Sequence, residues 1–492
     1  RLFMPIKDQL KAIVGEANVL DSPDIIASCS KDHSVEPPGK VTCVVRPKNA
    51  HQVQKIIKLA NKEKLAVVPR SSGIHFHGNV IPKKGGVVLD LSGMNSIKEI
   101  DEENLLAHLE VGVTWDQFQT EVLAKGYRSV IPLLPHAQRS VVMDWLEREQ
   151  PVVQVHEYSD PLTCMQLIWG NGEEFVTGSA SANNFREEGC LADGVSPQGP
   201  GPIGFDRLIH GSQGTLGAVT WGIVHLQPLP TLTKTKFITT DKVEDAIEPI
   251  YKILRRRIGY ECLLLNNTNL AAILAGSGPE QVAELKANLP PWTTILVISA
   301  LKRRPEERMA YQVEALDEIM TSYFPGLKAL DTLSGMAAVE DKIPDMLLKP
   351  WPKDKTYWKH AYKGGCQDLV FMTTLDRVQN FISAVNEVAT KYQYPVNDIG
   401  CYIQPVENGR ACQLEFNIYY NPQDGAEVDR IRGLYADAAA AVFERGAWFN
   451  RPYGSAVTNI IYKKYATYVT TAKRFKKYAD PNYIMNPGTL CF

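Results

Sequence analysis

The ten residues PRSSGIHFHG (69–78) directly follow the apolar run LAVV and combine glycines, small serines and two histidines. Small residues after a strand let backbone N–H groups approach an anion closely, as a pyrophosphate requires. The spacing is neither G-x-G-x-x-G nor a P-loop ending in Lys-Ser/Thr, so a Rossmann or Walker site is not expected. A second stretch, GSQGTLGAVT (211–220), places Gly211, Gly214 and Gly217 ahead of an apolar strand, with Gln213 and Thr215 able to bond a polar ligand. NPG (486–488) lies close to the C-terminus. Two separated Gly-rich loops and a terminal NPG are more than turns alone require.

The elements that must position these loops read as an α/β opening. VTCVV (41–45), LAVVP (65–69) and GVVLDL (86–91) have strand character, and HQVQKIIKLANKE (51–63) places Val53, Ile56, Ile57 and Ala60 on one helical face. LLAHLEVGV (105–113) and the helix WDQFQTEVLAKG (115–126) continue it. TCMQLIWGNGEEFVTG (163–178) reads as a hairpin around Asn171-Gly172, a dipeptide that tolerates positive φ. From about residue 231 longer helical patterns alternate with the strand runs TTILVISAL and QLEFNIYY, which suggests a second α+β domain. RFKKYADPNYIMNPGTLCF (474–492) reads as a basic, turn-rich tail.

Composition narrows the class. At 492 residues the chain exceeds the roughly 250–300 at which one core stops growing, so two domains are expected. Its 53 basic and 55 acidic side chains leave a net charge of −2, which supplies no electrostatic reason for a nucleic-acid partner. No apolar run approaches the roughly 18–20 residues of a membrane-spanning helix, and the N-terminal stretch reads as an amphipathic helix. The nine cysteines are scattered without a Cys-x-x-Cys pair, so no disulfide framework or Fe–S cluster is expected and a cytoplasmic location fits best.

PR-S-S-G (69–73), VVLDLSGMNSI-EID (87–101), LEVGVTW (109–115), WGNGEEFVTG (169–178), GPGPIGFDRLIHGSQGTLGAVT (199–220) and DPN-IMNPG (480–488) together resemble the vanillyl-alcohol oxidase / p-cresol methylhydroxylase (PCMH-type) family of FAD-linked oxidases. The resemblance implies an α+β fold in two parts: an FAD-binding domain over 1–228, an α+β cap over 229–450 that covers the flavin, and a return to the FAD domain over 451–492. It implies that Pro69, Arg70, Ser71, Ser72, Gly73, Ile74, His75 and Gly78 surround the pyrophosphate. Glu110 and Gly112 lie under the ribityl-adenine portion, and Gly211, Ser212, Gly214, Thr215, Ala218, Val219 and Asn486 complete the FAD site.

Oxidation by a flavin needs a substrate C–H directed at N5, a base for the departing proton and positive charge for the anion that forms. By resemblance to the phenol-oxidising branch, Glu147 is the acidic residue near N5, Tyr158 binds the substrate ring and Arg451 holds its oxyanion. That branch pairs its arginine with two tyrosines, whose places are taken here by His77 and Asn450. His77 beside Arg451 could form an anion site in their stead. The linking histidines of relatives align with Leu414 and Ile74, so FAD is expected to be non-covalent, with His75 the nearest candidate for a link. Residues 403–418 carry none of the histidines of the metal motif found in the D-lactate/glycolate branch, so no metal is expected. The leading expectation is oxidation of a para-substituted phenol or aromatic alcohol by hydride transfer to flavin N5. The alternatives are a 2-hydroxy-acid dehydrogenase subunit feeding an Fe–S partner, and a flavin subunit that relays electrons. An Fe–S or cytochrome acceptor protein and a homo-oligomeric state are the expected partners besides the small substrate.

Overall fold

The computed structural model describes residues 5–153, 161–182, 203–276, 278–336 and 338–492. The opening helix Ile6–Val14 buries Leu10 and Val14. Helix Ala50–Glu63 starts where the Asn49 side chain accepts from Gln52 N, and it buries Val53, Ile56, Ile57 and Ala60, the face its 3.6-residue period predicts. Leu65 still donates its N–H to Ala60 O in the helix's closing turn, so the strand that follows is Val67–Arg70, shorter at its start than the apolar run suggested.

That strand is the edge of a four-stranded sheet in the order Val19–Leu20, Cys43–Val45, Val87–Asp90, Val67–Arg70, with the last three parallel. Ligand loops in such sheets leave the carboxyl ends of the strands, which is where residues 71–78 begin. A five-stranded antiparallel sheet follows, ordered Ile97–Asp101, Leu106–Glu110, Gly217–His225, Leu162–Trp169, Glu174–Val176. Its last pair is the expected hairpin, with Gly172 at φ +85° in the turn and Ile168 opposite Glu174.

A six-stranded antiparallel sheet occupies the middle of the chain, from Leu232–Thr240 to Ala411–Tyr420. Both faces are covered, so its strands send alternate residues into two different cores. In Glu261–Asn266, Cys262 and Leu264 enter a core built with helices Val243–Arg255, Pro305–Tyr323, Val378–Lys391 and Gly425–Glu444. Leu263 and Leu265 enter the other, which also takes Leu133, Leu134 and Val152 from the first part of the chain. This second face therefore packs against the first part of the chain, and strand Ala411–Tyr420 turns Gln413, Glu415, Asn417 and Tyr419 towards it.

The tail corrects one expectation. RFKKYA ends the helix Ala466–Ala479, and only from Asp480 does the chain turn. Lys476 lies inside that helix, and its buried pairing, described below, gives this basic segment a helical place in the core. Beyond it, Val67 and Met485 form a parallel bridge, so the C-terminus returns to the edge of the first sheet. Among the described residues no helix is long and apolar enough to cross a membrane.

Candidate functional site

The three motifs distant in sequence meet. Gly214 has φ +70°, and a Cβ there would sit 2.6 Å from Pro69 Cγ, so the second Gly-rich loop lies directly on the first. Asn486 donates from Nδ2 to Gln213 O at 2.7 Å and to Asn79 O at 2.8 Å, joining the tail to both. The fully buried Lys476 ammonium donates to Asp480 Oδ2 at 2.6 Å, to Met485 O at 3.0 Å and to Thr215 O.

Between these loops lies a cavity walled by Pro69, Arg70, Ser71, Ser212, Gly214, Ala218 and Val219, with Val111, Met143 and Glu147. Several polar atoms around it lack partners within the protein: Arg70 Nε, His75 Nδ1 and Asn486 Oδ1 are buried and unpaired. A cradle of this kind, with glycine at the close approach and unpaired donors and acceptors behind it, fits a large polar cofactor. The other expected contacts stand behind the wall. Ser72 Oγ accepts from Ser140 N at 2.7 Å and so fixes the start of helix Val141–Leu146. Gly73 is exposed and donates to Gln138 O, and Ile74 is half-buried. His75 Nε2 donates to Ser72 O at 2.9 Å, which leaves Nδ1 as an acceptor, and burial holds the ring neutral. Gly78 takes φ +75° and donates to Asp32 Oδ2. Glu110 accepts from Ser96 N and pairs with Lys98, and Gly112 is needed because backbone carbonyls of residues 91, 92 and 94 lie within 2.8 Å of its absent Cβ. Gly211 and Thr215 face an aromatic groove on the far side of their loop.

A second cavity adjoins the first, where Arg139 Nη2 on its wall comes within 3.5 Å of Glu147 Oε2. His77, Arg139, Asp144 and Glu149 line it from the first part of the chain. Asp368, Tyr402, Gln413 and Glu415 line it from the six-stranded sheet, with Lys359, Tyr357 and Arg451. Sheet register sets that side: Val370 and Tyr402 both lie opposite Glu415.

Polar contacts run through this chamber as one chain. Lys359 Nζ donates to Asp368 Oδ2 and Glu415 Oε1, each at 2.6 Å. Burial opposes its charge, but the two carboxylates hold its pKa well above the ordinary lysine value. Gln413 donates to Glu415 at 3.2 Å and accepts from Arg451 Nη2 at 3.1 Å. Arg451 Nη1 lies 2.6 Å from Glu149 Oε1, and His77 Nε2 lies 3.6 Å from the same oxygen. Burial disfavours the Glu149 carboxylate, yet Arg451 and then His77 hold its pKa well below the usual range. On the other wall Arg139 Nε donates to Asp144 at 2.8 Å, and Trp115 Nε1 to the same carboxylate at 2.7 Å. Burial nevertheless pushes Asp144 up to about 6.

Glu147 does not face this chamber. Its Oε1 accepts from Asn79 at 2.5 Å and its Oε2 from the Tyr453 hydroxyl at 3.0 Å, and it lies on the wall of the first cavity. Between the two glutamates Arg148 adopts φ +60°, so Glu147 and Glu149 enter different cavities. Tyr453 stacks on His77 with ring centroids 4.3 Å apart. Asn450 borders the aromatic groove instead. Tyr158 lies outside the described residues. Reasoning from sequence missed Glu149, Tyr453, Lys359, Asp368 and the Gln413–Glu415 pair. Only the last left a signal, in the period-2 alternation of CQLEFNIY. Among the described residues no group of three or more His, Cys, Asp and Glu side chains is placed to hold a metal ion.

A family model described as an FAD binding domain matches residues 41–142. The chain is similar, at 24% identity, to glycolate oxidase subunit GlcD of Bacillus subtilis, over 99% of this chain and 96% of that protein. It is also 24% identical to D-2-hydroxyglutarate dehydrogenase of Stutzerimonas stutzeri over 98% of each. Its fold is similar to that of substrate-bound p-cresol methylhydroxylase, with a TM-score of 0.82 at 16% identity over 99% of this chain and 96% of that one.

Proposed function

We infer that this chain, an FAD-linked oxidoreductase with the two-part fold of the PCMH type, oxidises a para-substituted phenol or an aromatic alcohol. The FAD part is taken as 1–228 with 451–492, and the cap as 229–450. The observation that carries the substrate reading is the second chamber: it adjoins the first cavity, aromatic and imidazole rings line it, and each of the cations that the described residues place on its wall already has a carboxylate partner.

FAD, held by the loops at 69–78 and 211–219 and by the tail around Asn486, supplies a hydride acceptor when bound. The chain's own residues do the rest. Phe76, Tyr357, Trp358 and Tyr402 give a flat ring an apolar, aromatic lining. Arg451 Nη1 pairs with Glu149 and Nη2 donates to Gln413, while Nε has no hydrogen-bond partner among the described residues and is left for a substrate oxygen. His77 is kept in place by its stack on Tyr453, whose hydroxyl is tied to Glu147. In this reading Glu147 positions His77 through Tyr453.

Sequence similarity to the glycolate and D-2-hydroxyglutarate enzymes over nearly the whole chain supports a second reading, oxidation of a 2-hydroxy acid. A carboxylate substrate would need a free cation, and the described residues of the chamber offer none. Anaerobic mixing separates the two. Bleaching of the flavin by 4-ethylphenol and 4-hydroxybenzyl alcohol, with none from D-lactate or glycolate, is expected; the opposite pattern would replace the first reading by the second.

A further inference from the structure

Four carboxylates (Asp144, Glu149, Asp368, Glu415) and three cations (Arg139, Lys359, Arg451) line the chamber. Each cation is within ion-pair distance of at least one of those carboxylates. His136 adds no charge, because burial lowers its pKa to about 4. Even a protonated His77 would only complete the balance, since it faces Glu149. A ligand that brought its own carboxylate would put a fifth negative charge in the chamber, where the described residues offer no free counter-ion, and burying an unpaired charge is strongly unfavourable.

Glu149 differs from the other three acids. Asp144 is fixed by Arg139 and Trp115, and Asp368 and Glu415 share Lys359 and the Asn417 amide. Among the described residues the Glu149 side chain pairs with Arg451 and His77, and it keeps 18% of its area exposed on the chamber wall. Arg451 beside it is 2% exposed; its Nη1 pairs with Glu149, and its Nε has no hydrogen-bond partner among the described residues. A hydroxyl that reaches both groups from the chamber can donate to the carboxylate and accept from the guanidinium.

Resting on the reading that this chamber receives the substrate, we propose that Glu149 makes it selective for an uncharged hydroxyl compound and accepts that hydroxyl's proton. The ligand's O–H bond breaks and an O–H bond forms at Glu149. The negative charge passes from the carboxylate to the ligand oxygen, which remains beside Arg451. The chamber's total charge does not change, so no new charge has to be buried. The hydroxyl becomes strongly acidic as its carbon, or the carbon conjugated to it, gives up hydride, and a carboxylate that stays ionised is then a sufficient acceptor.

The test uses the FAD-loaded enzyme and two probes that cannot be oxidised, phenol and benzoate, followed by perturbation of the flavin spectrum. Wild type should bind phenol, should bind benzoate at least ~30-fold more weakly, and should release no proton to a weakly buffered solution on binding phenol. Glu149→Gln, which frees Arg451 of its partner, should gain at least ~10-fold in benzoate affinity. Benzoate binding to wild type as tightly as phenol, unchanged benzoate affinity in E149Q, or proton release by phenol would each overturn the proposal. If E149Q does not retain FAD, the wild-type titrations decide alone. Failure of the substrate reading would look different: charge selectivity intact, but no flavin bleaching by any para-alkylphenol or aromatic alcohol.

Discussion

Lys476→Met tests how the FAD loops are held together. The ammonium and the Asp480 carboxylate are both fully buried, and Lys476 also serves the carbonyls of Thr215 and Met485. Methionine fills the volume but strands the carboxylate, whose other donors among the described residues are the N–H groups of Ile484 at 3.1 Å and Met485 at 2.8 Å. Removing one partner of a buried pair costs about 3–5 kcal/mol. The double variant K476M/D480N removes the stranded charge, so it should be less destabilised than the sum of the singles by about 1–3 kcal/mol. Thr215 belongs to the second Gly-rich loop and Met485 adjoins Asn486, so the loss falls on the cofactor site. A penalty of about 3 kcal/mol on the binding-competent arrangement raises the apparent Kd for FAD by at most ~150-fold. Titration of apoprotein by quenching of FAD fluorescence, with thermal unfolding of the same samples, measures both effects. FAD affinity within twofold of wild type and an unchanged Tm would refute the account of Lys476 as the tie between loop and tail.

Gly214→Ala should weaken FAD binding at least ~10-fold, because φ +70° and the Pro69 ring both exclude a Cβ; retention of FAD through gel filtration as in wild type would contradict this. Arg451→Ala should slow anaerobic flavin reduction by about 2–4 kcal/mol of barrier, and reduction at the wild-type rate would remove the arginine from the reaction. Asp398 gives a pH signature: burial opposes its charge, but hydrogen bonds from Lys286, Lys363 and Tyr362 hold its pKa at about 2 against an ordinary 3.8. A folded-state value below the unfolded one stabilises the cap at neutral pH, and the contribution disappears as pH falls from 3.8 towards 2. Urea unfolding across that range should show a shallower pH slope for Asp398→Asn, and an identical slope would contradict the assignment.

The FAD half was legible because its signals are contiguous. A Gly-rich loop leaving a strand can be read from one stretch of chain, and the contact of Gly214 with Pro69 explains why two such loops recur with a shared NPG tail. The chamber was less legible, because its walls come from distant strands whose register no single segment reveals. Asp368 and Glu415 are neighbours only because Val370 pairs with Glu415 and Asp368 with Asn417 across the sheet. Choosing between Glu147 and Glu149 depended on one dihedral: Arg148 sits in the left-handed region, where residue type offers no hint as a glycine or asparagine would. Lys476 read as one of several basic residues in a turn-rich tail, and its burial against Asp480 gives it a role.

The proposal that a chamber whose described cations are all paired receives a neutral hydroxyl compound for oxidation is tested most directly by one matched pair of substrates. 4-Hydroxybenzyl alcohol and 4-hydroxymandelate share the phenol and the oxidisable carbinol and differ by a single carboxylate. Anaerobic stopped-flow mixing with the FAD-loaded enzyme should show the alcohol reducing the flavin at least ~100-fold faster, the rate equivalent of about 2.7 kcal/mol. Equal or faster reduction by 4-hydroxymandelate would contradict the claim and make the chain a 2-hydroxy-acid oxidising enzyme.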